Sequence, residues 1–211
     1  MVKKSTSSNA SFSTTRGTEV DVCLTGMNDI MFDRYPGDNN TKLRWEQKIY
    51  LVPGTNILAL PSMNVLSFLS AHNTNSAPKR LRDKRAYKDI CNACLSFVSI
   101  NGKYPGYIPF TRNGAEIEVG KFGPENEPQS GIYLDTRVAR LDKGVPNPKH
   151  RPVLPTPWQL EFMLKIFPNS EISEQEIRNL MDEGGLAIGL GTYRGVFGKF
   201  RVDTWNSRTV D

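Results

Sequence analysis

The C-terminal part of the chain carries the pattern that most restricts its fold. In residues 158–167 apolar and polar side chains alternate, which predicts a β-strand with one buried face. Residues 173–176 (Ser-Glu-Gln-Glu) have the spacing of a capping box, and the helix that they open is predicted to end at Gly184-Gly185. A glycine-rich loop and a last strand over residues 197–205 follow. The ending is therefore strand, helix, glycine-rich loop, strand.

The remainder of the chain supplies the other elements. Val20, Val22 and Leu24 alternate with polar residues and predict a first strand over residues 18–26. The same arguments predict a loop at 28–40, a short hairpin at 49–52 and 57–60, helices at 61–69 and 87–98, a small hairpin at 107–110 and 116–119, and a strand at 131–141. Five prolines between Pro146 and Pro157 predict a stiff, extended loop.

The order of the major elements indicates the fold class. Strand, helix pair, strand, strand, helix, strand is the split βαβ order of an α+β ferredoxin-like or RNA-recognition fold, with the extra hairpins and loops as insertions. Residues 1–17 are rich in Ser, Thr and Asn and poor in apolar side chains, which predicts a mobile N-terminal arm. Residues 18–211 are predicted to form one domain, because no composition shift calls for a second.

Charge and composition narrow the classes of partner. The chain has 27 Lys and Arg against 22 Asp and Glu, a formal net charge of +5, which favours an anionic partner. No apolar run approaches the roughly 20 residues that span a bilayer, so we expect a cytoplasmic protein without a membrane partner. Three cysteines are an odd set, which predicts reduced thiols. Cys91 and Cys94 could form a metal site, but they fall on an apolar helical stripe, which favours core packing; we expect no metal and no cofactor.

The glycine-rich loop allows a phosphate-binding interpretation. Four glycines, at positions 189, 191, 195 and 198, would let the backbone approach a phosphate chain and direct amide groups at it, while Arg194 and Lys199 add positive charge. The alternative is that the glycines only permit a tight crossing from helix to strand. Dinucleotide-binding and Walker loops are excluded, because those loops follow a strand and open a helix.

A second feature is a dense basic run between Pro78 and Lys88. It contains one acidic residue, Asp83, and six basic ones: Lys79, Arg80, Arg82, Lys84, Arg85 and Lys88. Such a run can neutralise phosphates with salt-sensitive affinity that is independent of sequence. The alternative is a solvated helical face.

A third, looser cluster flanks the predicted strand at 131–141. Its members are Arg137, Arg140, Lys143, Lys149, His150 and Arg151. Tyr133 is placed to share a face with Arg137, and exposed aromatic and basic residues of an RNA-recognition sheet can stack on bases. The alternative is that Tyr133 packs under the proline-rich loop.

The C-terminal segment resembles a known family. The Gly189-Leu190-Gly191 start, the basic Arg194 and the Gly198-Lys199-Phe200 entry into the last strand are similar to the glycine-rich loop of the RAMP superfamily, the repeat-associated proteins of CRISPR effector complexes. The likeness is nearest to backbone subunits that polymerise along guide RNA and to compact phage-encoded relatives. It covers residues 158–205 and extends to the strand at 18–26.

The resemblance implies a function and a site. It implies binding of single-stranded RNA, or DNA, without sequence specificity, and self-association into a filament or with effector subunits. Gly189, Gly191, Arg194 and Gly198 would contact the nucleic-acid backbone, the sheet would form a palm, and the insertion at 102–130 would be a thumb. The segment at 61–98 departs from the family, because it exceeds the single helix expected there.

Catalytic alternatives remain beside this non-enzymatic function. An endoribonuclease of the same superfamily could use His72 as the general base that accepts a proton from a ribose hydroxyl. Asp29 and Asp33 could support metal-assisted cleavage, although aspartates in loops are commonly turn formers. A third hypothesis is a phage-encoded mimic that interferes with the assembly of an effector.

Overall fold

The computed structural model describes residues 16–38, 40–71, 74–120, 131–140 and 146–210. Ala139, Arg140 and Pro146 are described by their backbone alone. Predictions that concern residues 1–15, His72, 121–130 and Lys143 lie outside the described residues. The predicted arm therefore stands untested over 1–15, whereas Gly17 already pairs with Val210 in a strand.

The described residues form strands, α-helices and one short 3-10 helix at Trp45–Lys48. The strands are β1 (Gly17–Gly26), β2 (Ile30–Met31), β3 (Ala59–Pro61), β4 (Val98–Asn101), β5 (Tyr107–Arg112), β6 (Ala115–Glu116), β7 (Tyr133–Arg140), β8 (Pro146–Leu154), β9 (Gln159–Ile166) and β10 (Phe200–Val210). The helices are α1 (Ser62–Leu69), α2 (Ala77–Leu81), α3 (Ala86–Phe97) and α4 (Glu174–Ala187). Within these residues, no helix is both long and apolar enough to cross a membrane.

The main sheet has the antiparallel arrangement expected of a ferredoxin-like core. β1 lies between β10 and β9, and β4 and β5 lie end to end along the other side of β9. β3 and β6 extend the sheet beyond β5. Helices cover one face, and their apolar side chains share a core with the alternating buried residues of β1 and β9. The mixed α+β class agrees with the prediction from the element order.

One predicted core strand belongs to a different sheet. The segment predicted at 131–141 is β7, but it pairs with β8 in a three-stranded second sheet ordered β2-β8-β7. In the main sheet its place beside β9 is taken by β4 and β5. Period-2 alternation predicts a strand but carries no information on its neighbours, which is why the assignment was wrong.

The proline-rich segment is a strand and not the predicted loop. Pro148 and Pro152 lie at positions of the same parity in β8, and the Pro152 carbonyl accepts a hydrogen bond from the Phe32 amide at 3.0 Å. In an antiparallel strand the amide and carbonyl of one residue point to the same side, so both prolines direct their missing N–H away from β7. The β7–β8 ladder therefore loses no hydrogen bond to them.

Smaller departures have local causes. The predicted loop at 28–40 contains β2. Gly184 and Gly185 do not end α4: a Cβ would collide with the Phe68 ring at the first and with the Phe200 carbonyl at the second, so the glycines allow close packing within the helix. The last strand begins at Phe200 and not at residue 197. The capping box at Ser173 is confirmed, since its hydroxyl accepts a hydrogen bond from the Glu176 amide.

Cys91 and Cys94, which are free thiols, lie where the prediction of core packing places them. Cys94 is buried in the main apolar core, and the Cys91 thiol donates to the Ser70 carbonyl. Burial raises the pKa of the Cys94 thiol to about 12, so it stays protonated at neutral pH. Thiols in this state are poor metal ligands and poor nucleophiles.

Candidate nucleic-acid interface

Asn28 ties the end of the glycine loop (residues 189–198) to the rest of the molecule. Its side-chain amide donates to the Val196 carbonyl at 2.6 Å, and its side-chain oxygen accepts from the Lys199 amide at 2.8 Å. Its backbone carbonyl accepts a hydrogen bond from the indole of Trp158, which is fully buried. Asn28 therefore fixes both the position of the loop and its return into β10.

Asp29 fixes the second sheet to the same point. Its carboxylate accepts a hydrogen bond from the Tyr133 hydroxyl at 2.8 Å and one from the Thr156 amide at 3.0 Å, while its carbonyl accepts from the Gly198 amide. Burial, together with the bond to Asp29, raises the pKa of Tyr133 to about 12, so the hydroxyl keeps its proton. Asn28 and Asp29 form what we call the junction, the place where loop and second sheet meet the core.

The glycines of the loop have unequal roles. Gly189, Gly191 and Gly198 have positive φ, and a Cβ at any of them would collide with neighbouring backbone. The amides of Gly189 and Gly198 donate to the carbonyls of Gly184 and Asp29, so these N–H groups are committed within the protein. Gly195 has φ +94° and open space around it. The structure thus favours the tight-crossing interpretation at three positions, and contact of these glycines with RNA stays a prediction.

The loop presents an aromatic ring that the sequence analysis did not single out. Tyr193 is 46% exposed and has a left-handed backbone, with φ +55°. The guanidinium of Arg137 lies 5.3 Å from its ring centroid and 4.8 Å from that of Phe197. Cations over aromatic rings at such distances are attracted by the ring electrons. Arg137, predicted as part of the third basic cluster, is therefore brought to the glycine loop.

Arg194 connects the loop with the segment before the basic run. Its Nε donates to the Gly191 carbonyl at 3.2 Å, and its Nη1 lies 3.5 Å from the Asn75 carbonyl. Burial lowers the pKa of the guanidinium below its ordinary value, although it stays charged at neutral pH. An open cavity of about 430 Å³ lies between these segments, lined by Thr74, Asn75 and the loop residues Gly191 to Arg194.

The basic run is divided among three pieces of structure and is not one helical face. Lys79 and Arg80 are exposed on α2, which starts two residues after Asn75. Arg82 is partly buried and pairs with Glu183 of α4 at 3.6 Å. Asp83 caps α3 by accepting hydrogen bonds from the amides of Ala86 and Arg85, which hold the pKa of that carboxyl below its usual value. Three further basic residues are exposed: Lys84, Arg85 and Lys88.

The third cluster is partly neutralised. Arg151 pairs with Asp33 at 2.7 Å, and Lys48 reaches the same carboxylate at 3.4 Å. Lys149 lies opposite Arg137 in the β7–β8 ladder, whereas Arg140 is described by its backbone only. Since Asp29 and Asp33 both hold protein groups, they act structurally here, and a catalytic role for either stays a prediction. In the described part of the chain no group of three His, Cys, Asp or Glu side chains is placed to hold a metal ion.

Comparisons with known proteins give a structural likeness and no sequence relative. No family model matches the sequence, and no curated protein matches it. The fold is similar to a chain in the cryo-EM structure of the Type III-B Cmr-beta bound to cognate target RNA, with a TM-score of 0.53 and 15% sequence identity. The match covers 91% of this chain and 61% of that one. At this identity the likeness concerns the fold alone, and the mixed α+β architecture is consistent with the ferredoxin-like class predicted from the sequence.

Proposed function

We propose that the protein binds single-stranded RNA, or DNA, without sequence specificity at the surface around the glycine loop. One observation carries the proposal: the glycine loop meets Arg137 of the third cluster and the segment that precedes the basic run. The loop itself contributes Tyr193, Arg194 holds Asn75 just before the basic run, and Arg137 of the third cluster lies over Tyr193. Distant segments that converge on one aromatic and basic surface match what a single strand requires.

The chemistry of this surface suits a nucleic acid. Successive bases of a single strand stack on exposed aromatic rings regardless of sequence, and Tyr193 offers such a ring. Lys79 and Arg80, exposed close to Asn75, supply charge for phosphates. The similar fold found in an RNA-bound Cmr-beta assembly supports the same ligand class.

A CRISPR-related role belongs to the proposal as well. We infer that the protein associates with further copies of itself along the strand or with effector subunits, and that it holds RNA without cutting it. The mimic hypothesis differs in its partner: it expects foreign effector subunits, in place of RNA, to co-purify with the protein.

One observation favours the endoribonuclease as a second candidate. Thr74 and Asn75, which follow His72 closely in the chain, line the cavity beside the glycine loop together with Arg194. Incubating end-labelled RNA with the wild type and with His72→Ala, each with and without divalent metal, separates the two candidates. Cleavage that His72→Ala abolishes would replace binding by catalysis as the function.

Fluorescence anisotropy with a labelled single-stranded RNA tests the binding proposal. Tyr193→Ala removes the exposed ring and should weaken binding by about 1–3 kcal/mol. Phe167→Ala is the matched control: Phe167 is 42% exposed at the end of β9, with the Lys165 ammonium 5.7 Å from its ring. Equal losses from the two variants, or no binding by the wild type at low salt, would contradict the proposal.

A further inference from the structure

A second basic cleft lies along β8, on the side of this strand that faces away from β7. Residues 33–38 and 40–48, which include the 3-10 helix at Trp45–Lys48, face β8 across an open groove of about 810 Å³. The basic and aromatic side chains that line it include Arg34, Lys42, Arg44, Lys149, Tyr35 and Trp45. From the sequence, residues 28–40 are predicted only as a loop, and the basic and aromatic residues that line the groove between 34 and 45 are not among the predicted site residues.

Two of the three acidic residues that line the groove are engaged by protein groups. Asp33 is held by Arg151 and Lys48. Asp38 accepts from the Asn40 and Thr41 amides and from the Thr41 hydroxyl, so it shapes the loop and does not neutralise a cation. Glu46 has one buried carboxylate oxygen, Oε2, and this atom has no hydrogen-bond partner among the described residues.

The basic side chains, in contrast, remain available. Among the described residues no ion pair involves Arg34, Lys42, Arg44 or Lys149; the carboxylate at the groove's edge pairs with Arg151 and Lys48 instead. Arg34, Lys42 and Arg44 are exposed, as is Tyr35 at 60%. Trp45 is partly buried against the main core, so Tyr35 is the exposed ring beside these cations, and cations next to an exposed ring suit single-stranded nucleic acid.

The groove is continuous with the glycine loop. Lys149, which lines the groove, is the cross-strand partner of Arg137, which lies over Tyr193. Side chains of such partners leave the sheet on the same face, about 5 Å apart at Cβ. Met31 and Val153 lie on that face too, buried against Phe197 of the loop. One face of the second sheet thus leads from Tyr193 past Arg137 and Lys149 to the groove.

We propose that the single strand held at the glycine loop continues over this face into the groove between residues 33–48 and β8. Arg34, Lys42 and Arg44 contact its phosphates, and Tyr35 and Trp45 stack on its bases. The inference rests on the proposed function and extends it, because it assigns to the protein a longer binding site and a defined path for the strand.

A triple variant, Arg34→Gln/Lys42→Gln/Arg44→Gln, tests the path. Binding of uniform single-stranded RNAs of increasing length is measured by anisotropy over a range of salt concentrations. Loss of three phosphate contacts should flatten the slope of log affinity against log salt by about 2 for long RNAs. RNAs too short to leave the glycine loop should bind the variant and the wild type equally well.

The control removes the same charge from the main sheet. Lys165→Gln/Arg201→Gln/Arg208→Gln also lowers the net charge by three, but these side chains pair with Glu19, Asp203 and Asp21 on the far surface. It should leave the slope for long RNAs unchanged. If both triple variants flatten the slope alike, or neither does while the wild type binds, the groove is not on the path. Absence of any binding by the wild type would instead reject the proposed function itself.

Tryptophan fluorescence gives a second measurement that does not depend on charge. Trp158 is fully buried and Trp205 donates to Glu174, which leaves Trp45 as the tryptophan that lines the groove. Long RNA should quench the fluorescence of the wild type, and Trp45→Phe should abolish most of the quenching. Quenching that persists in Trp45→Phe would overturn the proposed path.

Discussion

The two sheets of this chain differ in how much apolar packing holds them in place. The main sheet buries a continuous apolar face against its helices, with Trp158 and Phe110 in edge contact at a centroid distance of 5.7 Å. The second sheet is buried only at its inner end, around Val153, and exposes Leu134 and Val138 farther out. Its inner end is attached by apolar side chains, since Ile30 and Leu154 belong to the main core, and by the polar contacts of the junction. We therefore expect the second sheet to be more sensitive than the main sheet to the loss of a few hydrogen bonds.

The two sheets also differ in charge. On the open face of the main sheet, Glu19 and Asp21 of β1 pair with Arg208 of β10, and Glu19 also faces Lys165 of β9. The open positions of β1 and β9 carry no aromatic ring; they are Glu19, Asp21, Cys23, Thr25, Gln159, Glu161, Met163 and Lys165. In the second sheet Arg137 pairs with Asp135 at 2.9 Å and Arg151 pairs with Asp33, but Arg137 also adjoins the rings of Tyr193 and Phe197. The two sheets therefore differ in the aromatic rings that lie beside their charges.

The largest effect is expected where loop and core meet. Gly198→Ala should lower the free energy of unfolding by about 3 kcal/mol, because φ is +72° and the new Cβ would overlap the Leu190 carbonyl. Gly195→Ala, in open space at φ +94°, should cost only about 1 kcal/mol. Urea denaturation measures both. Similar costs would mean that the loop is no more constrained at its packed end than at its open end.

The junction is the next most sensitive place. Asn28→Ala removes two hydrogen bonds to the loop and should cost about 2 kcal/mol in unfolding free energy. Hydrogen exchange should then show faster opening of residues 196–199 than of β9. Uniform acceleration across both sheets would refute a separate, polar attachment.

A smaller, pH-dependent effect is expected at Tyr133. Tyr133→Phe removes the hydrogen bond to Asp29 and should cost about 1 kcal/mol at neutral pH. Because the pKa of Tyr133 is raised from its usual 10.0 to about 12, the bond stabilises the fold fully below pH 10 and is lost as the pH approaches 12. The difference in stability between wild type and variant, followed by chemical denaturation, should shrink over that range. A difference that stays constant up to pH 12 would argue against the bond.

The smallest effect is expected on the open face of the main sheet. Asp21→Asn/Glu161→Gln raises the net charge by two, yet it should change RNA affinity by less than about 0.5 kcal/mol at physiological salt, because distant surface charges are screened. Anisotropy with the same labelled RNA measures it. A gain in RNA affinity as large as the loss in Tyr193→Ala would place the RNA on the open face of the main sheet. It would contradict the assignment of RNA binding to the glycine loop and the second sheet.

The sequence predicted which residues form strands and helices better than it predicted which strands pair with each other. The alternation in β1 and β9 was sufficient to predict these strands, and the capping box was sufficient to predict the start of α4. Burial of one strand face and hydrogen bonding of helix-end amides are local requirements. The membership of β7 in a second sheet was missed, since pairing depends on distant partners. β8 was missed because prolines at positions facing away from the ladder look, in one dimension, like prolines in a loop. Tyr193 was missed because only its contact with Arg137 distinguishes it from other loop residues.

The prolines of β8 have a consequence for association of the chain. An exposed strand edge offers alternating N–H and C=O groups on which another chain can add a strand, a common route to aggregation. Pro148 removes a donor from the part of the β8 edge that β2 leaves uncovered, and the Lys48 ammonium occupies the neighbouring His150 carbonyl at 2.9 Å. These features oppose the addition of a further strand on this side of β8. The edge disfavours β-pairing while the groove beside it stays open to solvent.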